Sequence, residues 1–347
     1  MYIKRILLFI LLAGLVVGGI FAYTVYNAIF APNTAFSNDE AYIYIPSDAD
    51  FGVVSELVNP LLTDTDSFEK VAQRKGYSSN IKGGKYAIKK GMNNNEIINS
   101  LRSNNIPVKV AFNNQETLPD LAGRISVQIE PDSTTLLEVF RDDEFLKANG
   151  FDGDSKLAMY LPNSYEFFWN TSAETFRDRM LKEYKVFWNE SRLEKAKSQN
   201  LEPNEVIALA SIVHKETAKI DERPRVAGLY LNRLKRGMLL QADPTVIYAM
   251  KKEANNFDMV IKRVLYKDLE LDSPYNTYKY AGVPPGPITM PDISAIDAVL
   301  SPEKHNYLYM VANVEDFGYH KFAATAAQHN RNKAQYIRWI NAQNISR

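Results

Sequence analysis

The chain has 347 residues with 41 basic and 41 acidic side chains, and this balanced charge gives no electrostatic footprint for nucleic acid. Cysteine is absent, which excludes disulfides, thiol nucleophiles and cysteine metal sites. The four histidines show none of the spacings of known metal motifs, so neither a metal nor another cofactor is expected. The length allows two or more compact domains.

An uncharged apolar segment at residues 6–30 is long enough to cross a hydrocarbon core of about 30 Å as a helix. A cleaved signal peptide is the alternative, but its apolar core usually has only about 7–15 residues. Lys4 and Arg5 precede the segment, and no further basic residue follows it until Lys70. By the positive-inside rule, residues 1–5 lie in the cytoplasm, and the rest lies on the outer (periplasmic) side of the cytoplasmic membrane.

Residues 31–40 are polar and are predicted to form a linker that leads into a small α/β domain at residues 41–112. The pattern in this domain predicts a strand, two short helices, a second strand, a capped helix and a third strand. The order of strand, two helices and strand resembles the LysM fold, a type that often contacts cell-wall glycans. Because the sequence shows no fixed polar site there, glycan binding and a simple spacer role both remain open.

Residues 113–199 are predicted to form a connecting helical region. Two amphipathic helices are expected before Gly150, and one long helix is expected between Ala173 and Gln199. The aromatic residues of the long helix recur at helical spacing, which is typical of packing rather than of ligand contact.

Residues 200–347 contain the most informative helix, which begins near Pro203. At about 100° per residue, one apolar stripe is formed by Val206, Leu209, Ala210, Val213, Thr217 and Ile220. Glu216 lies at the edge of this stripe, where partial burial would raise its pKa above about 4.3, as a general acid requires. The alternative is a boundary glutamate that pairs with Lys219 or Arg223.

Several polar residues after this helix are candidates for substrate binding. Asn232 adjoins a second apolar stripe and could bridge backbone groups, contact Glu216 or bind a sugar. Asp243 and Pro244 form a helix-start signal, in which Asp243 is expected to cap. A proline- and glycine-rich loop follows downstream, and rigid walls that carry tyrosine and asparagine suit carbohydrate. The candidates from these two segments are Tyr248, Tyr275, Asn276, Thr277 and Tyr278.

The runs ASIVHKET, LYLNRLKRGMLLQADPTVIY, SPYNTYKYAGVPPGPI and YHKFAATAAQHN together resemble the YceG-like, or MltG, family of endolytic murein transglycosylases, across about residues 200–330. Together with the patterns above, the resemblance predicts an α+β chain with one membrane helix, a small LysM-like domain and a C-terminal catalytic domain of helices and a small sheet. It also implies that Gln241, which precedes the DPT turn, binds the N-acetyl sugar. His320, Phe322 and Asn330 match the terminal motif, although a helix start and core packing explain them equally well.

The activity implied by the resemblance is cleavage, within a peptidoglycan glycan strand, of the β-1,4 bond between N-acetylmuramic acid and N-acetylglucosamine. Glu216 would act first as the acid and then as the base, leaving 1,6-anhydro ends and limiting strand length. The implied partners are glycan strands, the cytoplasmic membrane and peptidoglycan synthases.

The segment LPNSYEFFWNTSAE resembles a strand and loop of the same family, and this resemblance aligns Leu157 with a glutamate that many members carry, so no second catalytic carboxylate is expected. Two alternatives remain. One is a non-catalytic scaffold that binds peptidoglycan, and the other is a muramidase-type hydrolase that activates water.

Overall fold

The computed structural model describes residues 2–151 and 153–342, and it has a mixed α+β fold that divides into two compact units, the first of which begins with an N-terminal helix. That helix, α1, spans Tyr2–Phe30. Among the described residues, α1 is the one helix long and apolar enough to cross a membrane, with a mean hydropathy of 2.6 in its most apolar window. The prediction of an α+β chain with a single apolar N-terminal helix is therefore confirmed.

The first unit comprises residues 1–110, 127–131 and 165–172, of which the structure describes all but residue 1, and it includes α1. Its elements appear in the predicted order, namely β1 (Glu40–Ile45), α2 (Phe51–Val58), α3 (Thr65–Arg74), β2 (Gly84–Lys89), α4 (Asn94–Ser103) and β3 (Pro107–Phe112). Strands β1 and β2 pair antiparallel, with Tyr42 opposite Ala87. Alternation along β1 sends Ile43 and Ile45 into a core that includes Phe68. The likeness to a LysM domain stays a prediction.

The segment predicted as a linker packs against the first unit. Asn33 is buried, and its side-chain amide donates to Asn94 Oδ1 and to the Asp64 carbonyl, both at 2.8 Å. Asn94 in turn donates to the carbonyl of Ala28, near the end of α1. Because buried amides are costly to leave unpaired, this network holds the end of α1 against the rest of the first unit.

The middle of the chain contributes α5 (Leu118–Ser126), α6 (Ser133–Phe140), α7 (Asp143–Ala148), β4 (Asn163–Phe168), α8 (Ala173–Phe187) and α9 (Glu190–Ser198). Three helices precede Gly150, where two were predicted. The predicted long helix is interrupted because the side chain of Asn189 accepts a hydrogen bond from the Arg192 amide and so begins α9 as a new helix. Strand β4 pairs with β3.

The second unit comprises residues 111–126, 132–164 and 173–347, of which the structure describes all but 152 and 343–347. Its C-terminal part contains α10 (Pro203–Glu216), α11 (Arg223–Lys235), α12 (Asp243–Glu253), α13 (Ile293–Leu300), β5 (Tyr309–Ala312), β6 (His320–Ala323) and α14 (Ala326–Ala342). Helices α10, α11 and α13 pack together, and every residue of α10 from Val206 to Val213 is buried. Strands β5 and β6 pair antiparallel, with Ala312 opposite His320.

Helix α10 ends at Glu216, so the prediction that its stripe continues through Thr217 and Ile220 was wrong. Thr217 has extended backbone angles, and its hydroxyl accepts a hydrogen bond from the Lys219 amide, a local turn that competes with the helix. Ile220 is exposed. Glu216 is therefore the last helical residue, close to the turn into α11.

Candidate active site

An open cavity of about 420 Å³ lies in the second unit, beside the C-terminal end of α10. Glu216 forms part of its wall, and α11 contributes Tyr230 and Arg233. Residues at the start of α12, along β5 and at the start of β6 complete it, together with Tyr278 and His329. The cavity thus collects side chains from segments that lie far apart in the sequence.

Glu216 is half-buried, and its Oε1 accepts a hydrogen bond of 2.6 Å from the hydroxyl of Tyr230. Burial raises the pKa of Glu216, and the negative charge of Asp243 adds to this effect. The Tyr230 hydrogen bond and the positive charges of His320 and Arg233 act in the opposite direction, but the pKa stays raised. A carboxyl group in this environment can hold a proton closer to neutral pH than a free glutamate can.

The alternative partners of Glu216 lie elsewhere. Arg223 is buried and donates from Nη1 to Asp292 Oδ2 at 2.8 Å. The Lys219 ammonium lies 4.8 Å from the centroid of the Tyr319 ring. Glu216 is therefore not a boundary glutamate neutralised by either neighbour.

Arg233 supports the floor of the cavity from α11 and is only 7% exposed. Its Nε donates to the carbonyl of Leu308 at 2.6 Å, and its Nη1 donates to the carbonyls of Leu239 and Leu240 at 3.1 and 2.8 Å. Nη1 also lies 3.2 Å from Gln241 Oε1. One guanidinium thus joins α11, the segment before α12 and the start of β5.

Glu222, which is buried, pairs with His320, which lines the cavity. The Glu222 side chain is 1% exposed, and its two oxygens lie 2.7 Å from the His320 backbone nitrogen and 2.9 Å from His320 Nδ1. Burial opposes the charge of both groups, but their mutual hydrogen bonds outweigh it, so the pKa of Glu222 is lowered and that of His320 is raised.

Two of the predicted sugar-binding residues line this cavity, namely Gln241 and Tyr278. Gln241 has a φ of 52°, a left-handed conformation that is uncommon for a residue with a side chain, and its backbone amide donates to the Thr277 carbonyl at 3.0 Å. Tyr278 donates from its hydroxyl to Asp243 Oδ1 at 2.5 Å. Asp243 is the first residue of α12 and faces the cavity, so the expectation that it caps this helix was wrong, because the N-cap is Ala242.

The other predicted residues lie outside this cavity. Asn232 donates to the carbonyls of His305 and Tyr307, which is the backbone-bridging alternative. Tyr248 packs on Tyr275 with ring centroids 4.6 Å apart. Three members of the rigid loop, Tyr275, Asn276 and Thr277, are at most 1% exposed.

Those loop residues have structural contacts. The Asn276 side-chain amide donates to the carbonyls of Leu269 and Leu271 within the same loop. The Thr277 hydroxyl accepts a hydrogen bond of 3.0 Å from the Ala242 backbone amide. These buried residues support the wall of the cavity, and the next residue, Tyr278, lines the cavity. Leu157 is also buried and is not among the lining residues that the structure describes.

Four residues with direct roles in this geometry were not predicted as site residues, namely Tyr230, Glu222, Arg233 and His320. Tyr230 lies on the apolar side of α11, where packing is the usual role of a tyrosine. The signals for this group were the run LYLNRLKRG, which contains Tyr230 and Arg233, and the terminal motif, which contains His320. In residues 2–151 and 153–342, no group of three or more histidine, aspartate or glutamate side chains is arranged to hold a metal ion.

A half-buried carboxyl group with a raised pKa in an open polar cavity is typical of a general acid site. Residues 43–335 match the model of the YceG-like family, and the chain belongs to this family. A crystal structure of a YceG-like protein from Listeria monocytogenes superimposes with a TM-score of 0.57 at 28% sequence identity, covering 85% of this chain and 99% of that one.

Two relatives carry functional names. A Bacillus subtilis (strain 168) protein named endolytic murein transglycosylase is 30% identical over 342 residues, covering 93% of this chain and 91% of the relative. A Streptococcus pneumoniae (strain R6) protein of the same name is 28% identical over 362 residues, and the match covers 94% of this chain but 64% of that longer relative.

Proposed function

We propose that this protein is a lytic transglycosylase that cleaves the β-1,4 bond between N-acetylmuramic acid and N-acetylglucosamine within peptidoglycan glycan strands. The observation that carries the proposal is the position of Glu216, a carboxyl group with a raised pKa on the wall of an open cavity. Membership of a family whose relatives are named endolytic murein transglycosylases supports it.

In the proposed reaction, protonated Glu216 donates its proton to the glycosidic oxygen as the bond from that oxygen to C1 of the muramic acid breaks. The C6 hydroxyl of the same sugar then attacks C1, and the Glu216 carboxylate accepts the hydroxyl proton. One carboxyl group acts twice and the substrate provides its own nucleophile, so no water is consumed. The products are a 1,6-anhydro end and a new free N-acetylglucosamine end.

The proposed location is the outer face of the cytoplasmic membrane. Helix α1 is long and apolar enough to be the anchor, and Lys4 and Arg5 at its start favour a cytoplasmic N-terminus. An enzyme held there meets glycan strands as they are made, which suits a role in limiting strand length beside peptidoglycan synthases. The first unit then serves either to bind glycan or to space the active site from the membrane.

Asp243 gives a reason to consider a second function, because it is a carboxylate in the same cavity as Glu216. A glycosidase with two carboxylates could use Asp243 to activate water, which would make the protein a muramidase-type hydrolase. The mass of the products separates these functions. We expect mass spectrometry of fragments from purified sacculi to show anhydro-muramic ends, lighter by one water than reducing ends. Reducing ends alone would contradict the transglycosylase and support the hydrolase.

We expect the Tyr230→Phe variant to cleave glycan up to a higher pH than the wild type does. The Tyr230 hydroxyl stabilises the ionised form of Glu216, so its removal raises the pKa of Glu216 further and keeps the acid protonated over a wider range. The measurement is kcat/KM against pH, in which the basic limb should shift to higher pH. A basic limb that stays in place would show that the Tyr230 hydrogen bond does not set this ionisation.

A further inference from the structure

His320 is the one histidine in the cavity that is anchored by a buried carboxylate. An ionised carboxylate can only accept hydrogen bonds, so the 2.9 Å contact between Glu222 Oε2 and His320 Nδ1 requires the proton on Nδ1. The second contact, from the His320 backbone amide to Glu222 Oε1, fixes the start of β6 to the same carboxylate. The ring therefore has a defined tautomer and a defined orientation.

The other ring nitrogen, Nε2, forms no hydrogen bond within the described part of the chain, although His320 lines the cavity that contains Glu216. With Nδ1 already protonated, Nε2 is an acceptor in the neutral ring and a donor only in the imidazolium form. A histidine that holds its positive charge therefore directs a charged N–H group at whatever occupies the cavity.

We propose that Glu222 is a positioning residue for His320, and that His320 donates a charged hydrogen bond from Nε2 to a sugar oxygen bound beside Glu216. This inference rests on the proposed function, because it takes a glycan as the occupant of the cavity. The recognised chemistry is an acceptor oxygen, such as the oxygen of a hydroxyl or acetamido group. Charge-assisted bonds of this kind are about twice as strong as neutral ones.

The raised pKa of His320 is consistent with this role, because Glu222 and the nearby Glu216 both favour the charged ring. Other titratable or charged groups also face the cavity, namely Tyr230, Arg233, Asp243, Tyr278 and His329. The pKa of His329 is lowered by burial, so His329 loses its charge at a lower pH than His320 does. The titrations of His320 and His329 can therefore be distinguished by pH.

The experiment measures the affinity of the full-length protein for a purified GlcNAc–MurNAc tetrasaccharide without stem peptides, by calorimetry across the pH range. A Glu216→Gln background prevents cleavage and removes the titration of Glu216 itself. In this background we expect affinity to fall as the pH rises through the pKa of His320, because the Nε2 donor is lost. Adding His320→Gln should weaken binding roughly 10- to 100-fold on the acid side of that transition and abolish the transition.

Adding Glu222→Gln instead should retain an acceptor for Nδ1 but lower the pKa of His320, so the fall in affinity should move to lower pH. Adding Glu303→Gln is the matched control, because Glu303 pairs with Arg225 outside this cavity and should change neither affinity nor its pH dependence. A purely structural role for the pair would weaken binding equally at every pH.

Three outcomes contradict the inference. They are an unmoved transition in the Glu222 variant, unchanged binding in the His320 variant, and no binding of the tetrasaccharide by the Glu216→Gln protein. The proposed function is tested separately, by the products of the wild-type protein on sacculi. A wild type that yields no anhydro ends while the affinity transition behaves as described would refute the reaction and leave the sugar-binding pair intact.

Discussion

The Glu216→Gln variant should lose glycan cleavage by about 10²- to 10⁴-fold while it stays folded and still binds glycan, because an amide cannot deliver the proton that general acid catalysis requires. Glutamine has nearly the same shape as glutamate, and its carbonyl oxygen can still accept the Tyr230 hydrogen bond. The measurement is the rate of release of anhydro-muropeptides from purified sacculi, with the thermal midpoint as a check on folding.

Glu253→Gln is the matched control for this variant, because Glu253 is exposed at the end of α12 and should not affect the rate. The same pair of variants separates an enzyme from a scaffold that only binds peptidoglycan. A wild type that never cleaves sacculi, under conditions in which it binds them, would support the scaffold. Full activity in Glu216→Gln would remove Glu216 from the reaction altogether.

The Arg233→Met variant should be destabilised by about 3 kcal/mol, because the carbonyls of Leu308 and Leu240 lose their buried donors. At about 2–4 °C per kcal/mol for a domain of this size, the thermal midpoint of the unit should fall by roughly 6–12 °C. Calorimetry of the full chain in detergent measures this change. Cleavage should also weaken at temperatures where the variant is folded, since Arg233 holds the segment that carries Gln241.

Two further variants define the cause of this destabilisation. Arg233→Lys keeps the charge but cannot reproduce the planar fork of donors, so we expect an intermediate midpoint. Arg236→Met removes an exposed arginine three residues later and should change stability by less than about 0.5 kcal/mol. If Arg233→Met has the same thermal midpoint as the wild type, the hydrogen bonds of Arg233 do not support the cavity.

The helical period placed Glu216 at the border of an apolar face of α10, but it left a boundary glutamate as the alternative, and the family resemblance was needed to favour a catalytic role. The same reasoning gave no sign of the role of Tyr230. A tyrosine on an apolar stripe looks like packing, and only the structure reveals that its hydroxyl reaches Glu216, fourteen positions earlier. The turn between α10 and α11 brings Glu216 and Tyr230 together, and no periodic pattern in the sequence predicts that turn.

The loop at Tyr275, Asn276 and Thr277 illustrates a different limit. Its composition suits a carbohydrate-binding wall, but a buried asparagine can instead satisfy the carbonyls of its own loop, and Asn276 does so. Polar residue types alone do not reveal which side of a wall they face. Likewise, Glu222 and His320 are 98 positions apart, and their pairing depends on how β6 is placed against the turn before α11. Long-range placement of this kind is set by tertiary packing rather than by local pattern.

The amide network of Asn33 and Asn94 would fix the orientation of the first unit relative to the membrane if α1 lies in the bilayer as proposed. A domain on a loose tether would sample a hemisphere above the lipid, and its height would vary with tether length. Here the chain leaves the helix and is immediately held against the α/β part of the first unit, so that part would stay at a set distance from the headgroups and share the tilt of the helix. Bilayer thickness and lipid order would then influence how the first unit is oriented toward the wall.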